Sequence, residues 1–376
     1  MKFDRVAQLD EVAVKKARLG RLMKEHGLDT VVLSKRHNFS WASGGADNHV
    51  RHSSEMGVAS LIYHRDGRKE VLTSTIESPR IMTEELAGLG FGLKEVRWYA
   101  PSERVATLRE ILGRGKAASD DGTPGTVDAE QYLPALRMNL TGHELAKCRW
   151  LGHAMGEGIA EVCRKVKKGM TEEAIAGDLF AVMQKKSVMP TVLLVAADDR
   201  IMKYRHPIPT ATRVKEGLMV VLCARRWGLV CSVTRLVRFG PLSPELARKH
   251  AAVTHIDAVF INETRPGAVL ADVFDRAREA YALRGYGSEW KLHHQGGPTG
   301  YVEREFTVNP ETPRNWKAAK GMAFAWNPSI AGTKSEDTVL VGAKGCEIIT
   351  ASPGWPLVRV SVAGRIIPRA DWLVKK

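Results

Sequence analysis

The feature that most constrains the fold is the run LMVVLCARRWGLVCSVTRLVRFG at residues 218–240. Its stretches of apolar and β-branched residues predict a pair of neighbouring buried strands. The other patterned segments of this half are predicted helices at 142–166, from the N-cap Thr171, at 243–262 and at 268–284, and predicted strands at 189–197, 322–330 and 336–342. This order gives two helix-helix-strand-strand halves and indicates an internal pseudo-repeat.

The first part of the chain shows α/β organisation through about residue 130. Its patterned segments are a helix at 12–27 closed by Gly27, a strand at 28–34, the loop KRHNFSWASGG, and a hairpin of strands at 58–64 and 69–74. The Gly/Asp/Pro-rich segment 116–128 is typical of a surface excursion. Because 376 residues are many for one hydrophobic core, we predict two domains, residues 1–135 and 136–376.

Composition excludes several classes of protein. The hydrophobic content of 44% and the charged content of 26% are those of an ordinary globular protein. No apolar run is long enough for a membrane span, and the first residues lack the apolar region of a signal peptide, so we expect a cytoplasmic protein without membrane contacts. The five cysteines are odd in number and form no CxxC pair, which favours free thiols over a disulfide or zinc framework.

The net charge of +14 raises the question of anionic partners. The basic residues are scattered, and no module of basic and aromatic residues typical of nucleic-acid binding is present in the sequence. Such a charge either steers small anionic substrates or belongs to a solvated surface. We therefore expect a small-molecule substrate and no nucleic acid.

The order of several sequence blocks resembles the pita-bread family of creatinase, prolidase and aminopeptidase P. The blocks are RLGRLMKEHGLDTVVLSKRHNFSWASG near the start, KEG before the strand pair, the HHQGG stretch and the late SEDTVLV. The resemblance covers nearly the whole chain. It implies an α/β architecture with a smaller creatinase-like N-terminal domain. The C-terminal pita-bread domain would have a curved mixed or antiparallel sheet with outer helices.

Metal-dependent members of that family hold two divalent ions with two aspartates, one histidine and two glutamates. The matching positions here are Cys223, Ser232 (with Thr234 as a less favoured alternative), His294, Asn327 and Glu336. One imidazole and one carboxylate cannot hold a pair of hard divalent ions, so we expect no metal and no cofactor. A single zinc ion on Cys223, His294 and Glu336 is an alternative.

The resemblance to creatinase, which works without metal, implies a different catalytic group. Creatinase transfers protons with a histidine just upstream of the strand pair, and His206 matches that position. His206 would be the general base and acid, with His294 and Glu336 orienting it or the attacking water. The alternative for His206 is a turn histidine bonded to backbone. If its segment is extended, His293 points to the other side and is structural.

The binding residues also follow from the resemblance. Arg304 matches the carboxylate-binding arginine of creatinase, although a salt bridge with Glu303 or Glu305 is an alternative reading. Neutral residues stand where creatinase holds a guanidinium with glutamates, so creatine itself is not the expected substrate. The predicted binding residues are Arg304, Asn327, Cys223, Ser232, Thr234, Tyr301, His37, Arg51 and His52. Arg51 and His52 lie near a segment that enters the neighbouring subunit's pocket in the family, so we expect a homodimer.

These observations predict a metal-independent, creatinase-like hydrolase or cyclase. It would cleave or form a C–N amide or lactone bond in a small, polar, amino-acid-derived molecule carrying a carboxylate or polyol. The HHQGG and WNPS variants resemble opine-metabolising members such as agropine cyclase or lactonase. The alternatives are an Xaa-Pro peptidase, which needs the metal pair, a catalytically silent binding or assembly protein, and an enzyme with Cys223 as a thiolate nucleophile.

Overall fold

The computed structural model describes residues 5–376, which form two compact units divided after Arg137. Each unit contains its own main sheet. Within residues 5–376, none of the helices has the length and apolar character that crossing a membrane requires.

The first unit is a six-stranded mixed sheet with helices. Its helices are α1 (Arg5–His26), α2 (Arg36–Ala42), α3 (Ser78–Arg80), α4 (Pro101–Leu112) and α5 (Leu133–Arg137). Its strands are β1 (Thr30–Lys35), β2 (Met56–His64), β3 (Lys69–Ser74), β4 (Gly92–Val96), β5 (Ala117–Ser119) and β6 (Val127–Asp128), in the order β4-β3-β2-β1-β5-β6. Apolar side chains of β1, β2 and β3 are fully buried, which explains why these strands were predictable.

Two predictions for the first unit are wrong. The expected loop after β1 is the helix α2, because Phe39 and Trp41 bury their rings there and Ser43 closes the helix by donating its hydroxyl to the Phe39 carbonyl, at 2.6 Å. The expected surface excursion at 116–128 supplies β5, which pairs in parallel with β1. The small residues Ala117 and Ala118 allow this buried position.

The second unit contains a larger sheet and longer helices. Its helices are α6 (Gly142–Lys165), α7 (Glu172–Lys185), α8 (Arg200–Lys203), α9 (Pro244–Glu263) and α10 (Leu270–Leu283). Its strands are β7 (Met189–Ala197), β8 (Gly217–Arg226), β9 (Leu229–Phe239), β10 (Gly296–Thr299), β11 (Ala323–Trp326), β12 (Ser329–Ile330), β13 (Thr333–Lys334), β14 (Asp337–Val341), β15 (Cys346–Ile348), β16 (Leu357–Val362), β17 (Arg365–Ala370) and β18 (Leu373–Lys375).

The main sheet of this unit has the order β10-β11-β14-β9-β8-β7, with neighbouring strands antiparallel along that path. The predicted strand pair is confirmed as β8 and β9, whose register places Cys223 opposite Ser232. The predicted N-cap Thr171 is also confirmed, since its hydroxyl accepts the Ala174 N–H at 3.1 Å. The fold is therefore the mixed α/β architecture with a curved, mainly antiparallel sheet that the sequence predicted.

The structure also corrects two details in the second unit. The Gly-Gly-Pro segment at 296–298, for which no strand was predicted, belongs to the strand β10 and pairs with β11. A Cβ atom on Gly296 would lie 2.1 Å from the Ala325 carbonyl oxygen, so glycine is required for close strand approach. The chain also continues beyond the last predicted strand into β15 to β18, which are three to six residues long and partly exposed.

Candidate active site

A cavity of about 260 Å³ lies in the second unit and is lined by half of the predicted site residues. The predicted residues that line it are His206, Cys223, His294, Arg304, Asn327 and Glu336. One wall is aliphatic, formed by Val192 and Leu194 of β7 and Val221 of β8. The cavity therefore combines an apolar wall with a concentrated set of polar and ionisable groups.

Strand pairing positions the first of these groups. Cys223 and Ser232 face each other across β8 and β9, and the Ser232 hydroxyl donates to the Cys223 sulfur at 3.2 Å. Burial, with a contribution from the Glu336 carboxylate, raises the pKa of the Cys223 thiol to about 12. At neutral pH Cys223 is therefore a protonated thiol, which argues against its use as a nucleophile.

Glu336 is the buried centre of a charge cluster. The Arg304 guanidinium Nη2 lies 3.2 Å from one carboxylate oxygen, and the Lys334 Nζ lies 3.0 Å from the other. The Thr234 hydroxyl donates to that second oxygen at 2.6 Å. Arg304 also donates to Ser232 Oγ, at 3.3 Å. Two side-chain cations are thus fixed on one carboxylate at the cavity wall.

These contacts decide the charge of Glu336. Burial alone would raise the pKa of its carboxyl group, because a charged group loses water. The Lys334 and Arg304 charges and the hydrogen bonds outweigh burial and lower the pKa to about 2. Glu336 is therefore a fixed carboxylate, and both of its oxygens are engaged by protein groups.

Asn327 reaches the cavity because β11 is firmly anchored. The preceding residue, Trp326, is fully buried, stacks on Phe260 with ring centroids 4.5 Å apart, and donates its indole N–H to Thr264 at 2.9 Å. The Asn327 backbone N–H donates to the Gln295 carbonyl at 3.1 Å. The neutral amide of Asn327, which by resemblance matches a glutamate of the family, is thus held at the end of an anchored strand.

Three imidazoles lie together, and two of them, His206 and His294, line the cavity. His206 Nε2 and His293 Nε2 are 3.0 Å apart and share a hydrogen bond. The ring centroid of His294 lies 5.8 Å from that of His206 and 4.4 Å from that of His293. The prediction that His293 points away is wrong. Although its backbone is extended, both rings of the pair lie against His206.

Neighbouring groups hold these histidines in place. His206 follows α8 in a loop, where the adjacent Arg205 forms an ion pair with Glu289 and donates to Ser329 Oγ at 3.0 Å. The Gln295 side-chain amide donates to the His293 carbonyl at 2.6 Å. The loop bearing His206 and the segment bearing His293 are therefore both tied to the same region of the second unit.

The surroundings of all three imidazoles favour the uncharged form. Burial and the positive charge of Lys334 lower the pKa of His206 and that of His293, the latter far below its ordinary value. Burial and the Arg304 charge lower the pKa of His294 to about 4. The histidines are therefore neutral at pH 7, with lone pairs able to accept a proton or a Lewis acid.

Several predicted binding residues lie elsewhere. Tyr301 does not line the cavity, since its buried hydroxyl donates to Glu144 of α6 at 2.6 Å. Ser232 and Thr234 are buried behind the wall and support Cys223, Arg304 and Glu336 rather than lining it. Their neutral hydroxyl groups orient the charged cluster.

The remaining predicted residues belong to the first unit. His37, on α2, bonds through Nε2 to the Glu130 carboxylate at 3.0 Å. Arg51 and His52 are exposed, and the His52 ring lies 4.8 Å from that of His49. Their part in substrate binding stays a prediction.

Comparison with known proteins identifies the family. A model of the metallopeptidase family M24 matches residues 146–343, more than half of the chain. The chain belongs to the M24 family. The match agrees with the resemblance to creatinase, prolidase and aminopeptidase P, which is confirmed.

Curated relatives of this M24 protein include uncharacterized peptidases of Staphylococcus aureus. One, from strain MW2, is 26% identical over 235 residues, and one from strain MRSA252 is 32% identical over 235 residues. Each match covers 59% of this chain and 65% of the relative, so it spans less than two thirds of the length of these relatives.

Solved structures show the same fold at low identity. The Xaa-Pro dipeptidase from Bacillus anthracis superposes with a TM-score of 0.73 at 15% identity, covering 97% of this chain and 100% of that one. The prolidase from Pyrococcus horikoshii OT3 gives 0.74 at 16% identity, covering 89% and 97%. The N-terminal domain of FACT complex subunit SPT16 from chickpea gives 0.69 at 10% identity, covering 91% and 96%.

The donor set of this M24 chain does not fit a pair of hard divalent ions. Cys223 carries a protonated thiol bonded to Ser232, and Asn327 offers a neutral amide. The carboxylate of Glu336 is neutralised by Arg304 and Lys334. Hard ions require several free carboxylate oxygens, which these positions do not supply.

Two contacts were not predicted from the sequence. One is the ion pair of Lys334 with Glu336, and the other is the hydrogen bond of His293 with His206. Lys334 is buried and precedes Glu336 by two residues in TKSEDTV. Residues two apart in an extended segment share a face, so this spacing was a usable signal. The pairing of His293 with His206 depends on the loop that follows α8 and had no sequence signal.

Proposed function

We propose that this protein is a metal-independent, creatinase-like hydrolase or cyclase for a small, polar, amino-acid-derived molecule of the opine type. The bond is a C–N amide or a lactone or other ester. The observation that carries the proposal is His206, which faces a cavity whose wall holds Arg304 and Lys334 fixed on one buried carboxylate, Glu336. The family and the peptidase names of the S. aureus relatives support hydrolysis.

The lining supports a substrate with two different ends. The aliphatic wall of Val192, Leu194 and Val221 packs against a carbon chain. The opposite wall offers the Arg304 fork, the Lys334 ammonium and the Asn327 amide to oxygen-rich groups. A carboxylate or a polyol satisfies these donors better than a cationic guanidine, which two fixed cations repel.

The reaction proceeds by general base and general acid catalysis. A neutral His206 nitrogen takes a proton from water, and the hydroxide attacks the carbonyl carbon. Negative charge develops on the carbonyl oxygen, where Lys334 stabilises it without reorganisation, while Arg304 holds the substrate carboxylate. The protonated His206 then gives its proton to the leaving nitrogen or oxygen, which yields the carboxylic acid and the amine or alcohol. The cyclase direction reverses these steps.

His293 sets the proton-accepting atom of His206. When His206 donates its Nε2–H to His293 Nε2, its Nδ1 carries the lone pair that receives the proton. The imidazolium formed in the reaction then strengthens the same hydrogen bond. His293 is thus a positioning residue. It orients His206 as the aspartate of a Ser-His-Asp triad orients the catalytic histidine.

The test is a hydrolysis assay of chelator-treated protein against opine lactones, opine amides and Xaa-Pro dipeptides. Turnover of an opine-type substrate without added metal supports the proposal, and Arg304→Lys should then raise KM because the bidentate fork is lost. Turnover confined to Xaa-Pro dipeptides with added manganese would instead favour the peptidase named in the structural relatives. Absence of turnover on every substrate would favour a silent binding protein.

A further inference from the structure

Three imidazoles converge, and two of them, His206 and His293, do not match positions that hold metal ions in the family. The ligand nitrogens of His206, His293 and His294 all lie within 4.8 Å of one another. His206 and His294 are exposed to solvent, whereas His293 is buried. The cluster is therefore open to an ion from solution. Buried His293 is a fixed ligand, and the exposed side chains of His206 and His294 can adjust.

The spacing suits an ion with tetrahedral nitrogen ligands. Zinc binds histidine nitrogen at about 2.0–2.1 Å, which places two tetrahedral ligand nitrogens roughly 3.3 Å apart. The nitrogens of His206 and His293 are already 3.0 Å apart. The third ring, His294, has to bring its nitrogen closer by up to about 1.5 Å, a small rotation for an exposed side chain.

We propose that His206, His293 and His294 bind one transition-metal dication of the imidazole-preferring class, such as Zn²⁺, and that the bound ion inhibits the enzyme. Imidazole ligands select zinc, copper and nickel over magnesium and calcium, which need oxygen ligands. A water molecule or a substrate oxygen completes the coordination at the open side, as in zinc sites with three histidines.

The surrounding charges limit the affinity. Lys334 and Arg304 lie on the same cavity, and Arg205 adjoins His206. Each repels a dication, and Glu336 offsets only part of this charge because both of its oxygens are engaged. Removal of the Lys334 charge should therefore tighten metal binding, which is the opposite of what loss of a ligand does.

Inhibition follows from the number of lone pairs and rests on the proposed role of His206. A neutral imidazole has one basic lone pair, and its other nitrogen carries a proton. When the metal ion binds Nε2 of His206, the ring proton moves from Nε2 to Nδ1, the atom that accepts the proton in the proposed reaction. The ring then has no atom left that can accept a proton from water. No redox change or further reactant is involved.

The experiment is calorimetric titration of metal-free protein with Zn²⁺, with Co²⁺ absorption spectra as a second readout. We expect one ion per chain. His293→Ala should weaken binding by more than the roughly 10–100-fold typical of losing an outer-shell partner. Lys334→Met should tighten it. The control His153→Ala removes an exposed histidine on α6 outside the cavity and should leave binding unchanged.

The outcomes separate this inference from the proposed function. Unchanged Zn²⁺ affinity in His293→Ala, or no binding at all, would overturn the metal site and leave metal-independent hydrolysis standing. Stoichiometric binding that raises turnover would overturn inhibition and also the metal-independent reaction. Binding with loss of turnover, reversed by EDTA, supports both.

Discussion

At the scale of single residues, the site replaces acidic groups with neutral ones and keeps one carboxylate. By the resemblance to metal-dependent members of the family, Cys223, Ser232 and Asn327 match positions that bear carboxylates there. Glu336 is bound to Arg304 and Lys334. Two protein cations therefore stand beside the retained carboxylate. This arrangement keeps positive charge at the cavity, and in the proposed reaction the acid-base catalysis falls to the imidazole of His206.

His206 should be the residue on which turnover depends most. General acid-base catalysis contributes roughly 10²–10⁴-fold, so His206→Ala should lower kcat by about that factor with little change in KM. Cys223→Ala is the matched comparison at the same cavity and should keep most activity, because its thiol is protonated and bonded to Ser232. Steady-state kinetics on both variants measure this, and an inactive Cys223→Ala would replace the mechanism with a thiolate one.

Glu336 should make stability depend on acid pH. Its folded pKa of about 2 lies below the ordinary value of 4.5, so its contribution is present above about pH 4.5 and is lost as pH falls towards 2. The shift corresponds to about 3 kcal/mol. Urea unfolding should show Glu336→Gln less stable than the parent by about that amount at pH 7, with the difference shrinking below pH 4.5.

The control for this experiment is Glu347→Gln. Glu347 pairs with Arg149 on the surface, where both side chains are 49% exposed. Surface ion pairs contribute about 0–1 kcal/mol, so this variant should unfold almost as the parent does. Equal effects of the two substitutions would show that the buried cluster does not stabilise the fold.

At the scale of elements, strand pairing builds the cavity. The register of β8 and β9 sets Cys223 against Ser232, and β14 pairs with both β9 and β11 next to Glu336 and Asn327. The strand β10 carries the glycines that follow His293 and His294. A change of pairing at β10 would therefore move the histidines as well.

Gly296 should not tolerate a side chain. Its φ of +95° disfavours other residues, and an added Cβ would meet the Ala325 carbonyl oxygen of β11. Gly296→Ala should cost at least about 1–3 kcal/mol, the typical energy of such backbone strain. Gly177 lies in the exposed middle of α7, where an added Cβ would have no neighbouring atom within 4 Å. Gly177→Ala should therefore stabilise the folded protein by about 0.5–1 kcal/mol. Thermal unfolding of both variants tests this, and a neutral Gly296→Ala would contradict the close packing.

The elements that could be predicted are those with a strong local pattern. The long strands β7, β8 and β9 and the capped helices α6 and α7 have apolar periodicity and clear ends. The strand β5 and the helix α2 were missed because their burial depends on residues distant in sequence. The same reason hid the contact between His206 and His293, which are 87 residues apart.

At the scale of the whole molecule, the proposal includes a homodimer. The segment at 49–56, with the exposed Arg51 and His52, resembles one that enters the neighbouring subunit's pocket in creatinase. We expect activity to disappear on dilution to monomer, because each site would then lack part of its lining. Sedimentation with parallel assays measures this.

A complementation experiment sharpens the dimer prediction. If sites are shared, mixing inactive His206→Ala with inactive Arg51→Ala subunits should recover part of the activity, since some mixed dimers hold one intact site. A fully active monomer, or no recovery in mixed dimers that are shown to form, would remove the shared site while leaving the acid-base chemistry intact.

The proposed function requires that this member of the M24 family works without a metal ion. It is tested most directly by measuring turnover of an opine-type substrate before and after exhaustive chelation, with metal content determined on the same samples. If catalysis needs no metal, we expect well under one divalent ion per chain after chelation and turnover that is unchanged or raised. Turnover that falls with chelation and returns on adding stoichiometric manganese, cobalt or zinc would contradict it.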